Sequence, residues 1–154
     1  MTNKVTLHLQ SDWPVHMSYD KSDKDIENFY SAIKGAISEN GSIFYQKRQI
    51  DIFMLAMAIG KEKNNRVKLK SESNSIRRDA LTEREMWLMC SVALDEEKDL
   101  DVLGDPSRVV KICEEYANGG IHNLISMHRM PGVLEPFEDS LDDLLKKRQP
   151  GSRE

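Results

Sequence analysis

The run Ile50-Asp51-Ile52-Phe53-Met54-Leu55-Ala56-Met57-Ala58-Ile59-Gly60 is apolar at nearly every position. A helix apolar on almost all sides belongs at the buried centre of a small domain. The pattern predicts this helix over Lys47 to Lys61, with Gly60 as its C-terminal cap. Before it, Ser22 or Asp23 can cap a helix in which Ile26, Phe29, Tyr30, Ile33 and Ile37 share one face, stopped by Asn40-Gly41. After it, Thr82-Glu83-Arg84-Glu85 reads as a capping box, with Leu81 and Met86 at the staple positions. Met86, Trp87, Met89, Cys90 and Ala93 continue that helix as an apolar stripe. Asp105-Pro106 opens a fourth helix, with Val109, Val110, Ile112, Cys113 and Tyr116 facing inward. Asn118-Gly119-Gly120 is expected to close it, and a short helix from Ile121 to His128 to follow.

Extended pieces are few. Lys4 to Gln10 alternates polar and apolar residues as a half-buried strand does, and Trp13-Pro14 ends it. Arg66 to Lys70 alternates again, and Ser71 to Ser75 is polar enough to be an exposed loop. Pro131, Gly132 and Pro136 break regular structure, after which Asp139 to Lys147 can form one or two helical turns. The expected fold is all-α: a compact bundle of four to five helices at 22–128, a short extended arm at 1–21 and a flexible tail at 129–154. Composition agrees. Leu, Met, Glu, Lys and Ala dominate the middle of the chain, and 154 residues are enough for one domain. No segment reaches the ~18 apolar residues of a membrane helix, and the first residues are not expected to act as a signal peptide. The expected location is the cytoplasm, with Cys90 and Cys113 as buried free thiols.

Charge sharpens the picture. From Gln46 to Arg78 nine basic residues face three acidic ones, a net of +6 within a chain whose total is −4. Everything else therefore carries −10. Such polarity suits an oriented partner, and it suits equally two clusters that attract each other within one fold. The candidate nucleic-acid contacts are Lys61, Lys63, Arg66, Lys68, Lys70, Arg77 and Arg78, which would meet phosphates without reading sequence. The plainer alternative is a solvated connector, favoured by its place at a helix C-terminus. A second candidate lies in the tail, where Leu134, Phe137, Leu141, Leu144 and Leu145 stand among acidic residues. An apolar stripe in an acidic segment is the form of many helix-in-groove ligands, and it is also what a tail needs to cover its own domain.

Catalytic chemistry has no recognisable set here. The chain lacks G-x-S-x-G, a P-loop and G-x-G-x-x-G. Cys113 precedes Glu114-Glu115, the wrong charge to activate a thiolate. His122 and His128 have a zinc-like spacing, but Cys90 and Cys113 are too far apart to complete a site. The acidic stretch Asp95 to Asp101 lacks the glycine and terminal glutamate of a calcium loop. The expectation is a non-enzyme without metal or cofactor.

Residues 51–60, Arg66-Val67-Lys68-Leu69, Trp87 to Ala93 and Glu115-Tyr116-Ala117-Asn118-Gly119-Gly120-Ile121 together resemble the small Dnd-system-associated proteins, encoded beside DNA phosphorothioation genes in bacteria and archaea. The resemblance covers roughly residues 47 to 127. It implies an accessory component of a DNA-modification or anti-phage defence system, an adaptor joining larger protein subunits, with no catalytic residues. Direct DNA binding through residues 61–78 is the alternative.

Overall fold

The structure is a computed structural model that describes residues 13–36 and 48–129. Their elements run β1 (His16–Met17), α1 (Lys24–Ala36), α2 (Gln49–Glu62), β2 (Ile76–Arg77), a 3-10 turn (Arg78–Ala80), α3 (Glu83–Glu97), a second 3-10 turn (Leu100–Gly104) and α4 (Pro106–Arg129). The all-α expectation holds, with four α-helices among the described residues. The strand at Lys4 to Gln10, the stop at Asn40-Gly41 and the whole tail stripe lie outside the described residues.

Local chemistry sets the helix ends. Asp23 Oδ1 accepts the amides of Asp25 (3.0 Å) and Ile26 (3.3 Å), which opens α1. The capping box of α3 forms as read: Thr82 Oγ1 accepts the Glu85 amide at 3.3 Å, and Glu85 Oε2 accepts the Thr82 amide at 2.9 Å. Lys98, at φ 56°, turns the chain left-handed and ends α3. Asp105 Oδ1 receives the Arg108 amide at 3.1 Å, with Pro106 in the first position of α4.

One expectation is overturned in α4. It does not close at Asn118-Gly119-Gly120 but continues unbroken to Arg129, absorbing the predicted fifth helix. The glycines are there for close approach. A Cβ on Gly120 would stand 1.9 Å from the Ala56 carbonyl oxygen, and one on Gly60 1.9 Å from that of Tyr116. The two helices touch backbone to backbone, so Gly60 is a packing residue inside α2 and not its cap. Because Gly60 meets Tyr116 while Ala56 meets Gly120, α2 and α4 run antiparallel.

The core is built on this pair. α4 contributes Val109, Val110, Ile112, Cys113, Tyr116, Ala117, Ile121, Leu124 and Ile125, all buried. From α2 come Ile50, Ile52, Phe53, Ala56 and Met57. Trp13 and Met17, on the segment read as arm, are buried too, and β1 pairs antiparallel with β2 through Met17 and Ile76. The Tyr19 ring stacks on Tyr30, with centroids 4.4 Å apart.

The second correction concerns α2, which is not enclosed. Leu55 is 38% exposed, Ala58 is also exposed, and Met54 and Ile59 are half-buried. The cause is that α3 packs mainly on α4 and only slightly on α2. For the same reason Trp87 and Leu88 of α3 stand 42% and 49% exposed, although Trp87 was read as part of the inner stripe.

Candidate functional site

Three surfaces carry the polar and apolar chemistry left outside the core. The first is a charge network where α2, α3 and α4 meet. Arg66, on the segment that follows α2, reaches carboxylates of both other helices. Its Nε lies 2.5 Å from Glu115 Oε2 and its Nη1 2.9 Å from Glu96 Oε1. Glu115 is buried, so the guanidinium is its counterion. Burial alone would lower the Arg66 pKa, and the two carboxylates more than offset that. The Tyr116 hydroxyl donates to the same Glu96, whose pKa falls through this bond and the bond from Arg66. Lys61 Nζ lies 2.6 Å from Asp95 and 5.0 Å from the centre of the Tyr116 ring. The hydrogen bonds from Lys61 and Lys98 pull the Asp95 carboxyl down to about 2.

The second surface is a polar cleft of ≈ 530 Å³ between the start of α1, the segment 65–70 and α4. α4 holds that segment in place: Val67 donates its amide to the Glu115 carbonyl at 3.0 Å, and Asn118 Nδ2 donates to the Val67 (3.2 Å) and Lys68 (3.3 Å) carbonyls. Asn65 Nδ2 donates to the Gly119 carbonyl at 2.9 Å. At the other wall the buried Asp20 carboxylate collects the amides of Lys70 (2.8 Å), Ser22 (3.0 Å) and Ser71 (3.3 Å) and the Ser22 hydroxyl (2.6 Å). Burial would raise its pKa, but these donors hold it below the usual carboxylate value. Lys68, Lys70 and His122 line the cleft, with His122 Nε2 3.0 Å from Asp23 Oδ2.

The third surface is an apolar groove of ≈ 710 Å³ between α2 and α3, lined by Met54, Leu55, Met57 and Ala58 on one side and Leu88 and Val92 on the other. Ion pairs span its ends, Arg48 with Glu85 at 3.5 Å and Lys61 with Asp95 at 2.6 Å. These pairings also show that α2 and α3 run parallel.

The seven basic residues read from the sequence therefore do not form one patch. Lys61 and Arg66 are tied to carboxylates in the network. Arg78 Nη1 donates to the Trp13 carbonyl at 2.7 Å, and Arg77 pairs with Asp79 at 2.8 Å on the surface. Lys68 and Lys70 meet at the cleft, while Lys63 is exposed at the end of α2. Leu134, Phe137, Leu141, Leu144 and Leu145 lie outside the described residues. Sequence reasoning missed the groove. Its signal was present in Met86-Trp87-Leu88-Met89-Cys90, five consecutive apolar residues that cannot all face one side of a helix.

Fold and surfaces together define a small all-α module with its chemistry on the outside. The chain belongs to the family described as DNA sulphur modification system-associated protein 4, which matches residues 21–153. It is thus a Dnd-associated protein, associated with a DNA sulphur modification system. The match extends beyond residues 47–127 on both sides and takes in the tail. No curated protein and no solved structure matches the chain. Among the described residues no helix is long and apolar enough to cross a membrane.

Proposed function

We propose that the chain is a non-catalytic accessory subunit of a DNA-modification-linked anti-phage defence complex, acting in the cytoplasm as an adaptor for larger protein components. The supporting observation is the α2–α3 groove, an apolar channel with Leu55 and Leu88 open to solvent on its two walls. A third helix laid into such a channel buries its own apolar face against both walls. Membership in a family named for association with a modification system supplies the class of partner. The test is copurification of the tagged chain from its native host with the operon intact. Other components of the modification system are expected to come with it, and Leu55→Asp and Leu88→Asp are expected to release them while leaving the exposed-site variants folded. A chain recovered alone would remove the adaptor reading.

A second reading is direct contact with duplex DNA at the polar cleft. It is favoured by Lys68 and Lys70, which have no acidic partner among the described residues. Binding that weakens with salt and is lost in Lys68→Glu/Lys70→Glu supports it, and no binding at low salt removes it.

A further inference from the structure

α3 is apolar on two sides, and the core takes only one of them. Met86, Met89, Cys90 and Ala93 face inward and are buried. On the outside, the exposed positions Arg84, Trp87, Leu88, Ser91 and Asp95 follow one another at helical spacing and share a single stripe. Leu88, Ser91 and Asp95 of that stripe line the α2–α3 groove, opposite Leu55 and Ala58. The stripe is complementary to itself when reversed. It starts with a cation, is apolar in the middle and ends with a carboxylate. From 84 to 95 it is about 16 Å long. Laid antiparallel on a second α3, Arg84 faces Asp95, Trp87 faces Val92, and Leu88 faces the small Ser91. The same pairs recur across the two-fold axis, as an isologous contact requires. Charge fits the groove as well as the helix. Asp95 already holds Lys61 and Lys98. Glu62 on the same rim has no basic partner among the described residues, and Arg84 has no acidic one. A reversed α3 therefore brings each unpaired guanidinium to the unpaired carboxylate of the other copy.

We propose that the free chain forms a two-fold dimer in which α3 of each copy seats, reversed, in the α2–α3 groove of the other. Leu55, Trp87 and Leu88, three of the six large hydrophobic side chains exposed among the described residues, are covered together. The pairing goes beyond the adaptor reading and stands without it. Where both hold, a larger component displaces the second copy from the groove.

The test is sedimentation equilibrium of the purified full chain over a dilution series, with no other protein present. The mass is expected to be twice 17.7 kDa at the concentrated end and to fall toward 17.7 kDa on dilution. Leu88→Asp is expected to weaken association by about tenfold or more, because it places a charge without a partner at the centre of the contact. Leu55→Asp on the opposite wall repeats the measurement should the first variant fold poorly. Charge reversal reads the orientation. Arg84→Glu sets like charges against Glu62 of the other copy, twice per dimer, and Glu62→Lys does the same against Arg84. Each is expected to weaken self-association roughly tenfold. An equal mixture of the two variants has opposite charges at both places and is expected to regain the parent's affinity. A parent that stays at 17.7 kDa throughout would overturn the proposal and leave the groove to a partner of another sequence. A dimer indifferent to both aspartates would overturn it by placing the contact on another face, and a mixture no tighter than its components would overturn the reversed seating. The pairing fails by mass and the adaptor reading by copurification, so the two failures are distinct.

Discussion

Glu115 is a carboxylate with almost no contact with water, its side chain 4% exposed, placed in the middle of α4. An ionised group there is tolerable only beside a counterion that it also hydrogen-bonds, and Arg66 supplies both. Removing Arg66 strands the charge. Arg66→Met is expected to lower unfolding free energy by about 3 kcal/mol, read from the urea midpoint, and adding Glu115→Leu to recover part of that loss. Its neighbour Glu114 behaves differently. Burial pushes this carboxyl up to about 7, the Ser18 amide at 2.7 Å works against that, Glu72 and Glu115 add to it, and Lys111 opposes it. The folded chain then holds a proton that the unfolded chain releases near the ordinary value of 4.5. Folding is favoured most below 4.5, and the advantage is lost as pH rises through about 7. Glu114→Gln keeps an acceptor for Ser18 and removes the titration. Relative to the parent it is expected to gain more stability at pH 8 than at pH 5, by on the order of 2 kcal/mol, with one pKa unit worth about 1.4 kcal/mol. A thermal melt at each pH reads the difference, and equal gains at both would contradict it.

Among the elements, the contact of α2 with α4 is the least tolerant of change. A methyl added at Gly120 meets two backbone atoms of α2, Ala56 O at 1.9 Å and Gly60 N at 2.6 Å, and neither can rotate away. Gly120→Ala is expected to cost about 3 kcal/mol or more, at the upper end of overpacking losses. Gly104→Ala, with nothing within 4 Å of the added carbon, should be neutral or slightly stabilising, which makes it the control in the same denaturation series. This contact also marks the limit of what the sequence could tell. Thr82-Glu83-Arg84-Glu85 and Asp105-Pro106 were legible because capping is local chemistry, settled within four residues. Asn118-Gly119-Gly120 carries the same local signature as a helix end, and only the backbone of α2 lying against it decides otherwise. The apolar run in α2 hid the groove for a related reason. When nearly all positions are apolar, periodicity has no phase, so the run cannot say which side lacks a neighbour. Of the candidate basic residues, the sequence placed all seven near one another but could not show that Arg66 and Lys61 face the acids of α3 and α4, some thirty or more positions away.

For the whole molecule, the charge polarity between the basic segment and the rest of the chain is partly spent inside the fold. Lys61 and Arg66 answer Asp95, Glu96 and Glu115, and Arg48 answers Asp51 and Glu85. A net of +6 read along the sequence is therefore a poor measure of the field that a distant polyanion meets. Lys63, Lys68 and Lys70 are exposed and have no acidic partner among the described residues. Each phosphate neutralised contributes about −0.9 to the slope of log affinity against log salt, so contact through these three gives a slope of about −2 to −3 on duplex DNA. A slope near −6 would require the paired cations to abandon their carboxylates, which the buried Glu115 resists. The measurement is a titration of duplex binding between 50 and 200 mM salt, repeated with Lys68→Glu/Lys70→Glu and with Lys63→Glu. The double variant is expected to remove most of the salt dependence, because its two lysines share the cleft, and the single variant to remove about one contact. A parent slope well beyond −3 would require cations outside the cleft to join the contact, and Lys61→Gln and Arg66→Gln would then test whether the ones now held by carboxylates are among them.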